Sequence, residues 1–178
     1  MRDGDILKVC IFGPESTGKS TLAEKLAVHF DTFFVPEFAK SLIEAQNGAI
    51  TLTDIPRIAR GQMEAEDRLM KQASRILFCD TDLITTTIWS DWLFDECPAW
   101  IREEADSRRY DLYLLTDIDV PWVDDIHRYL PEDRREFLER CEKELDKRGL
   151  SYVKISGSWD ERYNKACSAV KTLLTKGC

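Results

Sequence analysis

The chain has 178 residues, of which 43% are hydrophobic and 33% charged, and its formal net charge is −8. This length suits one domain with a well-formed core, and the composition is typical of a globular protein rather than a disordered one. An acidic chain without a basic run is a poor candidate for binding nucleic acid, and the first apolar run, Ile6 to Phe12, is too short to span a bilayer.

Apolar residues recur with two periods along the chain, which predicts strands that alternate with helices. Five short apolar runs are predicted to be strands: ILKVCIFG, TFFVPE, RILFCDTD, YDLYLLTD and SYVKISG. Helices are predicted from Ser20, in FAKSLIEAQ, from Thr53 or Asp54, in PEDRREFLERCEKELDKRG and from about Trp159. This alternation predicts an α/β fold with a five-stranded parallel sheet, helices on both faces and one domain over residues 1–178.

Six cysteines lie along the chain without a CxxC pair and without clustering near His29 or His127. We therefore expect no zinc site, and we expect both histidines to be structural or exposed. No signal peptide precedes the cysteines, so reduced thiols in the cytoplasm are the default expectation.

Residues 13–20, GPESTGKS, match the phosphate-binding pattern GxxxxGK[ST], with a predicted strand before it and a predicted helix after it. Gly13 and Gly18 permit backbone angles at which successive N–H groups face phosphate oxygens, and the helix start adds a positive dipole end. Lys19 would reach the β and γ phosphates, and Ser20 would offer its hydroxyl to Mg²⁺. The sequence therefore predicts an ATP-type site formed by Gly13, Pro14, Glu15, Ser16, Thr17, Gly18, Lys19, Ser20 and Thr21.

Acidic residues follow two other predicted strands, and ligands of parallel sheets bind at the carboxyl ends of strands. Glu37 follows the second strand and could accept the proton of an attacking hydroxyl, or it could complement the dipole of the helix that starts there. Asp80 and Asp82 end the third strand; we expect Asp80 on the Mg²⁺ side and Asp82 facing the acceptor substrate. The alternative is a pair of solvated loop acids.

The polar segment after the fourth strand contains Arg128, Arg134 and Arg135, and residues 122–136 are predicted to form a small lid. A mobile arginine segment that closes over phosphates would neutralise the charge that develops during transfer. The functional interpretation is preferred for Arg128, which lies outside the periodic helix. For Arg134 and Arg135, a charged helix start with i,i+4 pairs is an equal alternative.

Several other side chains are candidates for the acceptor pocket. Trp89, Trp92 and Trp100 follow the third strand, and their faces could stack on a flat or cationic ring, although tryptophans more often belong to a core. Arg60 and Gln62 lie on a predicted helix and could line the same pocket or be surface residues. Trp89, Trp92 and Gln62 are taken as the candidate substrate-binding residues, together with Glu37 and Asp82.

The strings GPESTGKSTL, PEFAK, CDTDLITT, DLYLLTDIDVPWVDD and ERYNKA occur in this order over nearly the whole chain. In this combination the chain resembles the ribosylnicotinamide kinase domain of the NadR family. The resemblance implies a P-loop kinase fold that phosphorylates the ribose 5′-hydroxyl of nicotinamide riboside with ATP and Mg²⁺, giving nicotinamide mononucleotide in NAD biosynthesis. It also implies that SGSWDER passes near the adenine and that the site residues are Lys19, Ser20, Glu37, Asp80, Asp82 and Arg128.

Two departures from this family affect the expectations. Fuller members carry a DNA-binding segment and an adenylyltransferase domain, for which 178 residues leave no room, so neither activity is expected here. Ile126 stands where the family often has glycine, which could stiffen the lid or change its geometry.

Two alternatives to a nicotinamide riboside kinase remain open. The first is a kinase for another nucleoside, since Trp89, Trp92, Asp91 and Asp95 are suggestive of a cationic ring without deciding it. The second is an ATP-hydrolysing switch or nucleotide-sensing module, in which Gln62 could orient water, although the chain has no NKxD string. In each kinase case the expected partner is a small nucleoside, with no nucleic acid and no membrane, and the oligomeric state is left open.

Overall fold

The structure is a computed structural model that describes residues 6–126, 128–130 and 132–176. Within these residues there are five strands and seven α-helices, and one or two helices lie between successive strands. A short 3₁₀ helix, Leu52–Asp54, precedes α3. The elements are β1 (Leu7–Phe12), α1 (Lys19–His29), β2 (Phe34–Val35), α2 (Phe38–Ala45), α3 (Ile55–Met70), β3 (Ile76–Asp80), α4 (Leu83–Phe94), α5 (Ala99–Ser107), β4 (Leu112–Thr116), α6 (Arg134–Lys147), β5 (Tyr152–Ile155) and α7 (Trp159–Lys176).

The strands form one parallel sheet in the order β2-β3-β1-β4-β5. In the register of the sheet, Cys10 of β1 lies between Cys79 of β3 and Tyr113 of β4. All residues of β3 and β4 are buried, as expected for central parallel strands covered on both faces. The predicted five-stranded parallel sheet is confirmed.

Alternate residues of β1 face two different cores, which places helices on both sides of the sheet as predicted. Val9 and Ile11 pack with apolar residues of α1 and α7. Cys10 and Phe12 pack with apolar residues of α3, α4, α5 and α6. Because all five strands are parallel, their carboxyl ends lie at one edge of the sheet, beside the phosphate loop.

Helices α4 and α5 were not predicted from the sequence. Residues around the whole circumference of α4 are buried, including Thr85, Thr86, Thr87 and Ser90, so the helix has no polar stripe to reveal its period. Helix α6 begins at Arg134, later than the predicted string, whose Pro131 lies outside the described residues. None of the helices in the described part of the chain is both long and apolar enough to cross a membrane.

Candidate active site

A cavity of about 230 Å³ opens at the carboxyl edge of the sheet. Its walls come from four places: the phosphate loop, the start of α2, the facing sides of α3 and α4, and the segment after β4. The lining side chains that matter for chemistry are Lys19, Ser20, Glu37, Lys40, Gln62, Trp89, Arg128 and Tyr129. Candidate residues for binding a phosphoryl donor and candidate residues for binding a phosphoryl acceptor therefore line the same cavity.

The phosphate loop needs glycine at two positions for different reasons. Gly13 has φ 130°, and a Cβ there would lie 2.6 Å from Thr116 Oγ1 and 2.8 Å from the Thr116 carbonyl oxygen. Gly18 has φ 81°, caps the start of α1, and would place a Cβ 2.6 Å from the ring of Trp159. The loop is therefore closely packed against β4 and α7, and a side chain at either position is strained.

Two polar side chains of the loop are bound to its own backbone. Lys19 is buried, and its ammonium donates a hydrogen bond of 2.7 Å to the Pro14 carbonyl. Thr17 Oγ1 donates to the same carbonyl at 2.7 Å and lies 2.7 Å from Thr116 Oγ1. These contacts stabilise the conformation of the loop and hold the Lys19 ammonium against the loop backbone.

Ser20 and Asp80 are adjacent, as a magnesium site beside a phosphate loop requires. Ser20 Oγ donates to Asp80 Oδ2 at 2.5 Å, and Asp80 is 1% exposed. Asp80 Oδ1 is buried and has no hydrogen-bond partner among the described residues. No group of three or more His, Cys, Asp or Glu in the described ranges could hold a metal. These two residues fit Mg²⁺ that is otherwise bound by phosphate oxygens and water, which is its usual coordination.

Glu37 lies at the junction of β2 and α2, where it is the N-cap residue of α2. Its Oε2 is 3.2 Å from the ammonium of Lys40, which also contacts Ser20 Oγ and lies 3.4 Å from Asp80 Oδ2. Burial lowers the pKa of Lys40, but the Glu37 and Asp80 carboxylates outweigh it and raise the pKa above its usual value. Sequence reasoning missed Lys40, although its i,i+3 spacing from Glu37 is visible in PEFAK.

Asp82 differs from the expectation that it faces the acceptor. It is 1% exposed and caps α4: its Oδ1 accepts the Thr85 N–H at 3.0 Å, and its Oδ2 accepts the Tyr113 hydroxyl at 2.9 Å. It is absent from the cavity wall, because both carboxylate oxygens are used inside the protein. Burial raises the pKa of Asp82 to about 6, against the effect of these hydrogen bonds.

The segment between β4 and α6 is held down by the phosphate loop itself. Glu15 Oε1 accepts the backbone N–H groups of Tyr129 and Leu130, both at 2.5 Å, and Ser16 Oγ accepts the Val123 N–H at 2.9 Å. Tyr129 also donates its hydroxyl to the Gly48 carbonyl at 2.5 Å. The segment thus connects the phosphate loop to the loop after α2.

The three arginines of this segment have different surroundings. Arg128 lines the cavity, and its buried Nη1 lacks a hydrogen-bond partner within the described ranges. Arg134 donates to the carbonyls of Val120 and Ser16 and lies 5.5 Å from the ring of Trp122, outside the cavity wall. Arg135 is exposed. Only Arg128 is therefore placed where it could meet a phosphate.

Of the candidate substrate-binding residues on α3 and α4, two line the cavity. Trp89 packs at 4.5 Å from Phe137 and meets Tyr129 edge-on at 6.2 Å. Gln62 is buried; its Oε1 accepts the Phe38 N–H at 2.9 Å, and its Nε2 has no partner in the part of the chain described. The hydrogen bond to Oε1 fixes the orientation of the Gln62 amide, so its NH₂ group can donate a hydrogen bond into the cavity.

Trp92 and other side chains considered from the sequence lie away from the cavity. Trp92 packs 5.7 Å from Phe137 and carries Arg140 at 4.4 Å over its ring, because it projects from the side of α4 that faces α6. Among the other side chains considered from the sequence, Arg60 lies over the ring of Trp100 and Asp91 forms an ion pair with Arg102. His29 is exposed and is hydrogen-bonded to the Tyr163 hydroxyl. His127 lies outside the described residues.

Arg162 is a second residue that sequence reasoning missed. It is 2% exposed and donates to the carbonyls of Thr17 at 3.3 Å, Gly157 at 3.0 Å and Asp117 at 2.8 Å. It also pairs with Asp119. One buried guanidinium thus joins the phosphate loop to the loops after β4 and β5, and only the tertiary structure reveals this.

Fold and site together define the class of protein. A GxxxxGK[ST] loop between the central strand and the first helix of this sheet marks a P-loop nucleotide-binding domain with a kinase-like fold. The sequence model of the AAA domain family matches residues 8–162. The chain therefore belongs to the AAA domain family.

The chain also resembles two curated relatives along most of its length. It is 30% identical over 173 residues to the trifunctional NAD biosynthesis/regulator protein NadR of Escherichia coli (strain K12) and to the protein of the same name from Salmonella typhimurium. Each alignment covers 93% of this chain and 42% of the relative. The chain thus spans less than half the length of these relatives.

Solved structures give the same resemblance. A crystal structure of NadR in complex with NR matches with a TM-score of 0.82 at 27% identity, over 96% of this chain and 51% of that one. NadR in complex with NAD and AMP-PNP matches with a TM-score of 0.77 at 26% identity, over 96% and 50%. Thymidylate kinase from Ehrlichia chaffeensis, at 14% identity and a TM-score of 0.63 over 94% and 98%, shares the fold. The resemblance to the NadR family stated from the sequence is confirmed.

Proposed function

We propose that this protein transfers the γ-phosphoryl group of ATP to the ribose 5′-hydroxyl of nicotinamide riboside, giving nicotinamide mononucleotide and ADP. The observation that carries the proposal is a single cavity lined by both the phosphate loop and Glu37, so that donor and acceptor can meet in it. The NadR relatives, solved with NR and with AMP-PNP, support a nucleoside kinase-like enzyme that binds an ATP-type nucleotide.

The donor half of the cavity binds the phosphates of ATP. Backbone N–H groups of residues 13–18 and the Lys19 ammonium offset the charge of the β and γ phosphates. Ser20 and Asp80 would hold Mg²⁺, which when bound neutralises charge on the same phosphates. Arg128, whose Nη1 is buried without a protein partner among the described residues, is the side chain proposed to stabilise the charge that develops on the transferred group.

In the transfer step, the ribose hydroxyl oxygen attacks the γ-phosphorus and the hydroxyl proton passes to the Glu37 carboxylate. The bond from the γ-phosphorus to the β–γ bridging oxygen breaks, and ADP leaves with that oxygen. No covalent enzyme intermediate is needed, so the rate enhancement comes from alignment of the two substrates and from neutralisation of the phosphate charge.

The half of the cavity proposed to bind the riboside combines aromatic side chains with a hydrogen-bond donor of fixed orientation. Trp89 and Tyr129 line it, and aromatic faces favour a cationic ring such as that of nicotinamide riboside. Gln62 Nε2 is proposed to donate to an oxygen of the riboside, since no protein acceptor within the described residues uses it. Gln62→Leu would leave the substrate oxygen unpaired and should raise the KM for the riboside more than the KM for ATP.

The proposal also covers organisation. We propose that residues 1–178 form one kinase domain and that residues 122–136 act as the lid, fastened by Glu15 and Ser16 in the closed state. Since the chain spans 42% of its curated relatives, the proposal is confined to the phosphoryl-transfer step.

The test is ADP release with Mg²⁺-ATP in the presence of nicotinamide riboside, of common nucleosides, and of no acceptor. Nicotinamide riboside should stimulate release strongly, with the mononucleotide as product. Stimulation by another nucleoside alone would overturn the substrate, and release indifferent to every acceptor would favour an ATP-hydrolysing switch.

Two variants assign the roles within this assay. Lys19→Ala should abolish turnover, whereas Lys25→Ala, an exposed lysine of the same helix, should not. Glu37→Gln should keep riboside binding and slow transfer by about 100-fold or more, as loss of a general base does. Exposed Glu24→Gln is its control. Full turnover by Glu37→Gln would remove the base role.

A further inference from the structure

Lys40 contacts three site oxygens that come from three different elements. Its ammonium lies against Ser20 Oγ of α1, 3.4 Å from Asp80 Oδ2 of β3 and 3.2 Å from Glu37 Oε2 at the start of α2. The lysine side chain is 39% exposed, whereas Asp80 is 1% exposed and Glu37 17% exposed. A flexible, partly solvated cation is thus bound to two buried or nearly buried carboxylates.

An ordinary helix-surface ion pair does not account for this arrangement. The i,i+3 pair with Glu37 alone would be a weak interaction on the helix surface. The contacts with Ser20 and Asp80 cross 20 and 40 residues of sequence, and they involve the two residues that fit Mg²⁺. An Mg²⁺ ion that takes Ser20 Oγ as a ligand would lie close to the Lys40 ammonium, which contacts the same atom, and the two positive charges repel strongly at such short distances.

We infer that Lys40 is a competing internal cation: it binds Ser20 and Asp80 when no metal is present, and moves to Glu37 alone when Mg²⁺-nucleotide binds. The four-carbon stem of lysine has the freedom for this small displacement. The inference rests on the proposed Mg²⁺-nucleotide site at Ser20 and Asp80. It makes Lys40 a positioning residue that links metal binding on the donor side to the orientation of Glu37 on the acceptor side.

Two consequences follow from the competition. Because Mg²⁺ must displace the ammonium, Lys40 weakens the effect of Mg²⁺ on nucleotide affinity. Because the displaced ammonium keeps its bond to Glu37, loss of Lys40 leaves the Glu37 carboxylate without its charged neighbour. Lys40→Met should therefore strengthen the Mg²⁺ effect on ADP binding, while kcat falls and the KM for ATP does not rise.

The experiment is isothermal titration calorimetry of ADP with excess EDTA and with excess Mg²⁺, giving the ratio of the two dissociation constants for each protein. The variants are Lys40→Met, Lys40→Arg, which keeps the charge, and Lys25→Met, which makes the same charge change on the exposed face of α1. The ratio should rise by about 5-fold or more in Lys40→Met, the lower end of typical coupling between sites. It should stay near the unmutated value in Lys40→Arg and Lys25→Met.

The outcomes separate this inference from the proposed function. An Mg²⁺ effect in the unmutated protein that is unchanged or smaller in Lys40→Met overturns the competition. An equal rise in Lys40→Arg or in Lys25→Met overturns the role assigned to the Lys40 charge. No Mg²⁺ effect in the unmutated protein overturns the metal site itself, whereas the acceptor panel fails or succeeds independently, since ADP binding needs no riboside.

Discussion

Replacing Glu15 by alanine should release the segment between β4 and α6 from the phosphate loop. Glu15 Oε1 accepts two backbone N–H groups, those of Tyr129 and Leu130, each at 2.5 Å. Leu130 is 1% exposed, so its N–H would be left buried without an acceptor. Each hydrogen bond to an ionised acceptor contributes about 1.5–3 kcal/mol, which makes the combined loss about 3 kcal/mol or more.

Hydrogen exchange measures this loss directly and needs no substrate. A change of about 3 kcal/mol in the local opening free energy speeds amide exchange by about 100-fold. We expect this acceleration at the amides of Tyr129 and Leu130 in Glu15→Ala, with exchange in the central strand β1 unchanged. Exchange can be followed residue by residue by NMR.

A matched variant separates the hydrogen bonds from the charge. Glu15→Gln keeps a carbonyl oxygen at the same place but loses the charge, so it should accelerate exchange at Tyr129 and Leu130 less than Glu15→Ala does. Unchanged exchange in Glu15→Ala would refute the reasoning, and so would equal acceleration in both variants. The same Glu15→Ala protein should lose kcat, because Arg128 would no longer be held over the cavity.

Three further predictions concern stability and acceptor binding. The folded-state pKa of Asp82 is about 6 against 3.8 unfolded, so the folded protein binds this proton more tightly and loses stability as pH rises from about 4 to 6. As the pH rises from 4 to 7.5, the free energy of unfolding of Asp82→Asn should therefore increase relative to that of the unmutated protein, by about 3 kcal/mol at most. Urea unfolding that gives the same difference between the two proteins at both pH values would contradict this. Gly13→Ala should lower the free energy of unfolding by about 2 kcal/mol or more, because a Cβ would meet Thr116 backbone at a positive φ; a midpoint of urea unfolding unchanged from the unmutated protein would exclude the strain. Gln62→Glu keeps an oxygen for the Phe38 N–H but removes the fixed donor, so the KM for the acceptor should rise about 10-fold or more in steady-state assays; an unaltered KM would mean that the amide does not meet the substrate.

The sheet and the phosphate loop could be predicted because their determinants are local. Each strand is a short apolar run with a clear end, and GPESTGKS carries its own turn, helix start and lysine. Helix α4 could not be predicted, because its first two turns are buried on all sides and therefore lack an amphipathic period. The capping role of Asp82, the N-cap residue of α4, cannot be predicted for the same reason, because it depends on a helix that the sequence pattern does not show.

The amino-acid sequence by itself determined the five strands, five of the seven helices in the described residues, the phosphate loop and the acids at the strand ends, since these depend on neighbours a few residues apart. Only the tertiary structure decided that Lys40 meets Ser20 and Asp80, that Glu15 holds the segment at Tyr129, and that Trp89 rather than Trp92 reaches the cavity. These contacts join residues that are 20 to 114 positions apart. Their existence depends on crossover packing and side-chain direction, which no local pattern encodes.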